Sequence, residues 1–365
     1  MGKIVISGYY GFGNMGDEAL LAGIIKSLKR INSGLAITVL SANPEETARL
    51  YGVNAIGRYN APLIFRELLS SEMFLSGGGS LFQDITGWKT VPYYSLLVFW
   101  ARLLGKKIVF YAQGLGPLER RVNRFLVQKA VSMAEYISVR DKESQKLLEE
   151  LDVDREQIYK TADPVFSFRQ QELFSEKKNF FLKAEKIVSD LEKPIIGISV
   201  RPWKNNEYLQ EFIGEVKQFA ATIGASIVII PMHYDIDYAL SSRLSASLDI
   251  KNRILPRVED PRQLLAFFSK LDFVIGLRLH SLVFAAFNCV PFLGLAYDPK
   301  VSSFVKNYND GEFIDINDFK GIASLNGLAK RIWENRDRFI EELKKKKESF
   351  FQLNQQHVHR INNLL

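Results

Sequence analysis

Arg278 and His280 stand two residues apart in the run Gly276-Leu277-Arg278-Leu279-His280-Ser281. The run follows an apolar stretch at 273–276 and opens the next helical pattern. Arginine presents a planar fork of donors that grips a carboxylate or a phosphate. Histidine is the side chain best matched to proton transfer near neutral pH. At a strand's carboxyl end and a helix N-terminus, the pair predicts an anion site. Arg278 and Ser281 are expected on the ligand and His280 as the proton donor. The competing reading is a helix start capped by one arginine and one histidine. Arg201, in Ser199-Val200-Arg201-Pro202-Trp203, ends another predicted strand and is expected at the same rim, with Trp203 covering the ligand. A surface salt bridge is the alternative for Arg201. His357 and His359 fall in a tail that reads as poorly ordered, so His233 is the other histidine within a domain.

A second constellation opens the chain. Gly11-Phe12-Gly13-Asn14-Met15-Gly16 satisfies G-x-G-x-x-G between a short apolar strand and a helix, the setting of a dinucleotide fingerprint. That fingerprint also needs an acid at the end of the next strand, to hold a ribose hydroxyl. The next strand runs into Ser41-Ala42-Asn43, with no carboxylate, and the glycines come late, after Tyr9-Tyr10. The reading is therefore a loop that brings backbone N–H groups and Asp17 to a substrate, not an NAD site. Glycines serving only a tight turn are the alternative. The run Ser76-Gly77-Gly78-Gly79-Ser80-Leu81-Phe82-Gln83-Asp84 also follows a strand, and its glycines allow close backbone approach. Asp17 or Asp84 is expected to deprotonate a sugar hydroxyl. Asp17 as a plain helix cap is compatible with that role. Gly11, Gly13, Asn14, Gly16, Gly78, Gly79 and Arg140 are expected around that sugar, with Asp141 or Asp163 as competing partners for Arg140.

Strand and helix patterns alternate through both halves, which predicts mostly parallel sheets covered on both faces. A chain of 365 residues is long for one core. The expected fold is α/β, with two doubly wound, Rossmann-like domains facing a cleft. The boundaries are 1–170 for the sugar side, 171–193 for a linker, 194–325 for the anion side, and 326–365 for a helix and tail. Ligands of such sheets bind at the carboxyl ends of the strands.

Composition excludes several classes. The apolar fraction of 47% and charged fraction of 24% are those of an ordinary globular protein. Part of the net charge of +7 lies around Lys344–Lys347. No nucleic-acid motif accompanies it, so a solvated helix face is the plain reading and weak attraction to an anionic membrane the functional one. One cysteine, Cys289, makes neither an internal disulfide nor a cysteine zinc site. No signal peptide and no membrane-spanning stretch are read, so a reducing cytoplasm is the expected compartment. The segment 92–104 is apolar nearly all round, which predicts a buried helix. Its tyrosines, Trp100, Arg102, Lys106 and Lys107 also suit a peripheral contact with a membrane.

Ser7 to Ala19, Gly77 to Asp84 and Arg278-Leu279-His280 together resemble the polysaccharide pyruvyl transferase family, closest to its CsaB type. The run Gly8-Tyr9-Tyr10-Gly11-Phe12-Gly13-Asn14-Met15-Gly16-Asp17-Glu18 carries most of that likeness. The resemblance implies a GT-B-like architecture with phosphoenolpyruvate as donor and with no metal and no cofactor. It implies a β-linked N-acetylmannosamine acceptor on a lipid-diphosphate-linked disaccharide, in the secondary cell-wall polysaccharide that anchors S-layers. A 4,6-linked pyruvate ketal and phosphate would be the products, made in the cytoplasm at the inner face of the membrane. Two rivals stand beside this reading. One is a glycosyltransferase of the same architecture using a nucleotide sugar. The other is a non-catalytic module that binds an anion or glycan.

Overall fold

Strands and helices alternate from Lys3 onward, as the apolar patterning dictates. The computed structural model describes residues 2–85, 87, 89–175, 186–308, 311–318 and 324–365. Residues 176–185, the middle of the expected linker, lie outside the described residues. The chain forms two compact units. The first comprises Met1–Gly13, Asp17–Phe168 and Phe350–Leu365, and the second Asn14–Gly16 with Arg169–Ser349.

In chain order the first sheet and its helices are β1 (Lys3–Ser7), α1 (Met15–Ile31), β2 (Ala36–Ser41), α2 (Pro44–Tyr51), β3 (Asn54–Gly57), α3 (Ala61–Leu69), β4 (Met73–Ser76), β5 (Gly79–Phe82), α4 (Thr90–Leu103), β6 (Lys107–Leu115), α5 (Arg121–Val131), β7 (Tyr136–Val139), α6 (Lys142–Glu150) and β8 (Ile158–Lys160). The strands lie in the order β3-β2-β1-β4-β6-β7-β8, with β5 also paired to β6. The pairings are parallel. Parallel strands buried on both faces need continuous apolar runs, and Ile4, Val5 and Ile6 of β1 are fully buried. Local signals set the helix ends. In α2, Asn43 accepts the N–H of Glu46, Pro44 occupies the first turn, and Gly52 closes the helix at φ 62°.

The second unit continues with α7 (Gln170–Ser175), β9 (Ile195–Ser199), α8 (Leu209–Ile223), β10 (Ser226–Ile229), α9 (Tyr234–Ser247), β11 (Asn252–Ile254), α10 (Pro261–Phe267), β12 (Phe273–Gly276), α11 (Leu279–Phe287), β13 (Phe292–Ala296), α12 (Pro299–Val305), β14 (Phe313–Asp315), α13 (Leu325–Glu334) and the start of α14 (Arg336–Asn363), which from Phe350 onward belongs to the first unit. Its sheet is also parallel, in the order β11-β10-β9-β12-β13-β14.

Each sheet has one switch point. The chain leaves β1 toward β2 and later returns to β4 on its other side, so the loops after β1 and β4 part there. The same occurs between β9 and β12. A crevice at the carboxyl ends of those two strands is the standard consequence.

Several expectations change. The region 326–365 is not one helix and a tail: α13 ends at Glu334, Asn335 caps it, and α14 begins at Arg336. The tail is helical to Asn363, because Asn354, His357, Val358 and Ile361 recur at helical spacing and are buried. His357 accordingly sits in the first unit, bonded to the Tyr136 hydroxyl and to the Lys160 carbonyl at 2.7 Å. The helix at 92–104 spans Thr90–Leu103 and is buried on one face only, through Val91, Tyr94, Leu97, Val98 and Ala101, while Leu96 and Leu103 are exposed.

Candidate functional site

The loop after β1 is organised by Tyr10 and Glu18. Tyr10 is fully buried, and its ring fills the space that a side chain on Gly8 or Gly77 would need. Those glycines are thus a packing requirement. Burial foremost, helped by the Asp17 charge, holds the Tyr10 hydroxyl well above its ordinary pKa. Glu18 accepts the N–H of Gly11 at 2.7 Å and the Tyr51 hydroxyl at 3.0 Å. Gly11 has φ 79°, and a Cβ there would overlap Ser41 Oγ and the Asn43 backbone nitrogen. Gly13 has φ 73° with nothing within 4 Å of a Cβ, so glycine is needed there only for backbone conformation. The loop after β4 lies alongside, since Gly77 N–H donates to the Ser7 carbonyl at 2.8 Å. Asp17 is half-buried in the first turn of α1, and its Oδ1 would lie 3.1 Å from a Cβ on Gly79. A Cβ on Gly78 would meet the Ala112 carbonyl oxygen at 3.3 Å. The first switch point therefore brings Asp17, Gly11, Gly78 and Gly79 together.

Glu18 is 5% exposed, and burial pushes its carboxyl from the ordinary 4.5 up to about 7 against the opposing Gly11 and Tyr51 bonds. A carboxyl raised in the folded state binds protons that the unfolded chain releases. Stability is then greatest below the unfolded pKa and falls as pH rises through 4.5 to about 7. Glu18→Gln keeps an acceptor for Gly11 and a donor for Tyr51 without titrating. Melting temperature between pH 5 and pH 8 should fall more steeply in the parent than in Glu18→Gln. The differential approaches at most about 3 kcal/mol for a shift of this size. Parallel melting curves for the two proteins would remove Glu18 as the titrating group.

Arg58, which follows β3, is a residue that the sequence reading passed over. It is 5% exposed, and its guanidinium donates to the Gly8 carbonyl and to the Tyr94 hydroxyl, each at 3.1 Å. It lies 5.0 Å from the Phe12 ring centroid and 4.8 Å from that of Tyr93. Phe12 stacks in turn on Tyr9 at 4.2 Å. A buried cation thus holds the aromatic residues of the glycine loop in place. Its position at a strand end was the available signal.

Asp84 and Arg140 take structural partners. Asp84 Oδ1 accepts the N–H of Glu119 at 2.9 Å, and Oδ2 accepts the N–H of Arg120 and the amide of Asn123. Burial raises its pKa, but these bonds outweigh that and keep the carboxylate below its ordinary value. So many donors weaken a base, which makes Asp84 a poor candidate for that role. Arg140 pairs Asp163 at 2.7 Å with both side chains buried, while Asp141 caps α6 through the Ser144 N–H.

In the second unit the loops after β9 and β12 meet, since Leu277 N–H donates to the Ser199 carbonyl at 2.9 Å. Arg201 stacks over the Tyr297 ring at 4.4 Å and donates to its hydroxyl. Trp203 packs on the same ring at 5.0 Å. Arg201 Nε and Trp203 Nε1 are buried N–H donors with no acceptor among the described residues. Such donors are costly unless an acceptor oxygen comes to them. The salt-bridge alternative for Arg201 finds no support among the described residues.

Arg278 does not stand open to a ligand on all sides. Its Nε and Nη2 donate to Asp237 at 3.1 and 2.5 Å, and Asp237 is fully buried. Asp237 also accepts the N–H of His233 at 2.9 Å. His233 to Asp237 is an i, i+4 spacing at the start of α9, a signal that the sequence reading left unused. Burial, then the Arg278 charge, lowers the His233 pKa. Ser281, expected on the donor, is fully buried, and its hydroxyl donates to the Arg278 carbonyl at 2.6 Å. Its Oγ also occupies the space over Gly276. Ser281 therefore belongs to the helix start, not to a ligand.

Asn14–Gly16 belong to this second unit. Met15 N–H donates to the Met232 carbonyl at 2.9 Å, and Asn14 bridges His233. Asn14 Oδ1 accepts the Gly16 N–H. A Cβ on Gly16 would overlap the His280 ring at Nδ1 and Cγ. Asn14 and Gly16, expected around the acceptor, are thus neighbours of His233 and His280. Among the described residues no group of three or more His, Cys, Asp or Glu side chains could hold a metal ion.

Comparison with known proteins agrees with this architecture. HepE of Anabaena, in complex with UDP and glucose, superposes with a TM-score of 0.66 at 13% identity, covering 100% of each chain. The UDP-GlcNAc 2-epimerase of Neisseria meningitidis bound to UDP-GlcNAc gives 0.63 at 11% identity, covering 98% of each. MnaA of S. aureus with UDP gives 0.64 at 15%, covering 94% of this chain and 90% of that one. At such identities the likeness shows the fold, two Rossmann-like units of GT-B type. No curated protein matches the sequence. The description "Polysaccharide pyruvyl transferase" matches residues 14–299, a span holding both Asp17 and the Arg278–His280 turn. With most of its length inside that match, the chain belongs to the polysaccharide pyruvyl transferase family.

Proposed function

We propose that the chain transfers the pyruvyl group of phosphoenolpyruvate to a β-linked N-acetylmannosamine of a lipid-diphosphate-linked cell-wall precursor, as in the CsaB type. The products are a 4,6-pyruvate ketal and phosphate, formed at the cytoplasmic face of the membrane. The family membership supports pyruvyl transfer to a polysaccharide. The carrying observation for an anionic donor is the pair of buried donors Arg201 Nε and Trp203 Nε1 beside the Arg278 turn. In this reading the second unit serves the donor and the first serves the acceptor.

The chemistry has four events. His280 protonates the methylene carbon, making it a methyl group and leaving cationic character on C2. Asp17 takes the proton of one sugar hydroxyl as its oxygen bonds C2. The C2–O bond to phosphate then breaks, with Arg201 and Arg278 stabilising the departing anion. The second hydroxyl bonds C2 and closes the ketal. Of the two hydroxyl protons, one balances that on the new methyl group and the other leaves on phosphate.

The test is phosphate release from phosphoenolpyruvate with a synthetic N-acetylmannosaminyl disaccharide. Release that depends on the acceptor, with a ketal in the product, is the expected result. Asp17→Asn should lower turnover by about 10²-fold or more, as for loss of a general base, without weakening phosphoenolpyruvate binding. The structural neighbours bound to UDP favour one rival, transfer from a nucleotide sugar. UDP release from a UDP-sugar, with none of phosphate from phosphoenolpyruvate, would establish that rival instead. Ligand binding without turnover of either donor would leave a binding module.

A further inference from the structure

Most large apolar side chains exposed among the described residues lie between Tyr59 and Phe125, and the transfer chemistry uses none of them. Phe65 and Leu69 lie on α3, Leu96 and Leu103 on α4, and Val122 and Phe125 on α5. Right-handed crossovers place these three helices on one face of the first sheet, because β3→β4, β4→β6 and β6→β7 all step in the same direction. Helices α3 and α4 also run side by side. At their starts Tyr59 meets Tyr93 at a ring distance of 5.4 Å. At their ends Lys106 donates to the Leu69 carbonyl at 3.0 Å. On α3, Phe65 and Leu69 are spaced i, i+4 and both exposed, Leu69 to 55%. On α4, Leu96 and Leu103 are spaced i, i+7 and exposed, Leu103 to 79%, with Phe99 and Trp100 half-buried between them. Tyr59, exposed to 74%, stands at the shared start. The result is a wide apolar face, not a groove.

Its rim is basic. Exposed Arg66 and Arg102, half-buried Lys106 and exposed Lys89 border it. The neighbouring acids Glu67 and Glu135 lie within ion-pair distance of Arg66 and Arg102. We propose that this α3–α4 face docks on an anionic lipid bilayer, with Leu69, Leu96 and Leu103 entering the headgroup boundary and the rim meeting lipid phosphates. Amphipathic aromatic and basic side chains around an apolar patch are what such a boundary accepts. A second copy fits less well, since a two-fold interface would set this basic rim against its own equivalent. Among the described residues no helix is long and apolar enough to cross a membrane. A surface contact is therefore the relevant mode for this face.

The full chain is to be sedimented with vesicles of phosphatidylcholine alone and of phosphatidylcholine with about one-quarter phosphatidylglycerol. Binding should be at least roughly tenfold stronger to the anionic vesicles and fall steeply at ~0.5 M salt. Leu96→Ser with Leu103→Ser should cut that binding about tenfold or more, because two exposed apolar anchors are lost. Both positions are exposed, so melting temperature should hold, and turnover of a water-soluble acceptor should be unchanged. A failure of the transfer assay would leave the vesicle result untouched, which separates this proposal from the reaction. Vesicle binding that ignores the leucine changes, or absent binding, overturns the proposal. So does a dimer in light scattering that the leucine changes dissociate, which would give the face to a second copy.

Discussion

His280→Ala is expected to lower kcat by about 10²–10⁴-fold, the usual contribution of a positioned general acid, with little change in phosphoenolpyruvate affinity. His280 sits in the first turn of α11, where the loop after β12 becomes helical. Gly16 provides a second and more specific test. It lies in the first turn of α1 without a positive φ, so on helix propensity alone Gly16→Ala should stabilise by about 1 kcal/mol. Yet the new Cβ would overlap the His280 ring, and only a shift of the imidazole can relieve that. Gly16→Ala should therefore behave as a partial His280 variant, with kcat lowered by at least about tenfold, since misplacement by an ångström costs roughly 10²-fold. Steady-state kinetics beside melting temperatures decide the matter. Near-normal kcat in a folded His280→Ala protein would return His280 to a capping role. Normal kcat in Gly16→Ala alone would mean that the ring tolerates displacement.

The elements were legible where apolar runs are long and bounded by strong signals. β4 and β12 fall at the expected residues because Met73-Phe74-Leu75 and Phe273-Val274-Ile275 are buried runs ending at serine or glycine. α3 went unread although Asn60 caps it and Pro62 sits in its first turn, since the short segment lacks a long periodic stripe. β8 and β14 have three residues each, too few for a pattern. Gly79–Phe82 looked like loop because it starts within a run of three glycines, but it pairs with β6. The site was legible at the level of strand ends, since a parallel sheet fixes where its loops emerge. Side-chain partners were not legible. Asp84 and Asp17 are alike in sequence, and only the fold reveals that Asp84 faces the N–H groups of Glu119 and Arg120. Glu18 and Asp237 escaped for the same reason: burial of a carboxylate depends on contacts between segments distant in the chain.

Arg278→Ala is expected to do more harm than a lost ligand contact. On sequence grounds its removal should weaken the donor and leave stability almost unchanged. The structure instead gives Asp237 two charge-assisted bonds from Arg278 and no exposure to solvent. Removing the arginine strands a buried carboxylate whose remaining described bond is the His233 N–H. Breaking a buried pair on one side typically costs about 3–5 kcal/mol, so the melting temperature should drop by many degrees. Arg278→Ala with Asp237→Asn should recover much of that loss, because no uncompensated charge stays inside. Arg201→Ala is the control. Arg201 stacks on Tyr297 and pairs with no described carboxylate, so its loss should raise the donor Kd about tenfold or more, at a small cost in stability. Arg278 has given one edge of its guanidinium to Asp237. Arg201 should thus dominate donor affinity, while Arg278 fixes the turn from which His280 projects. Calorimetry and phosphoenolpyruvate titration on the same four proteins separate the two roles. An Arg278→Ala protein that melts with the parent would show that the pair with Asp237 carries no such weight.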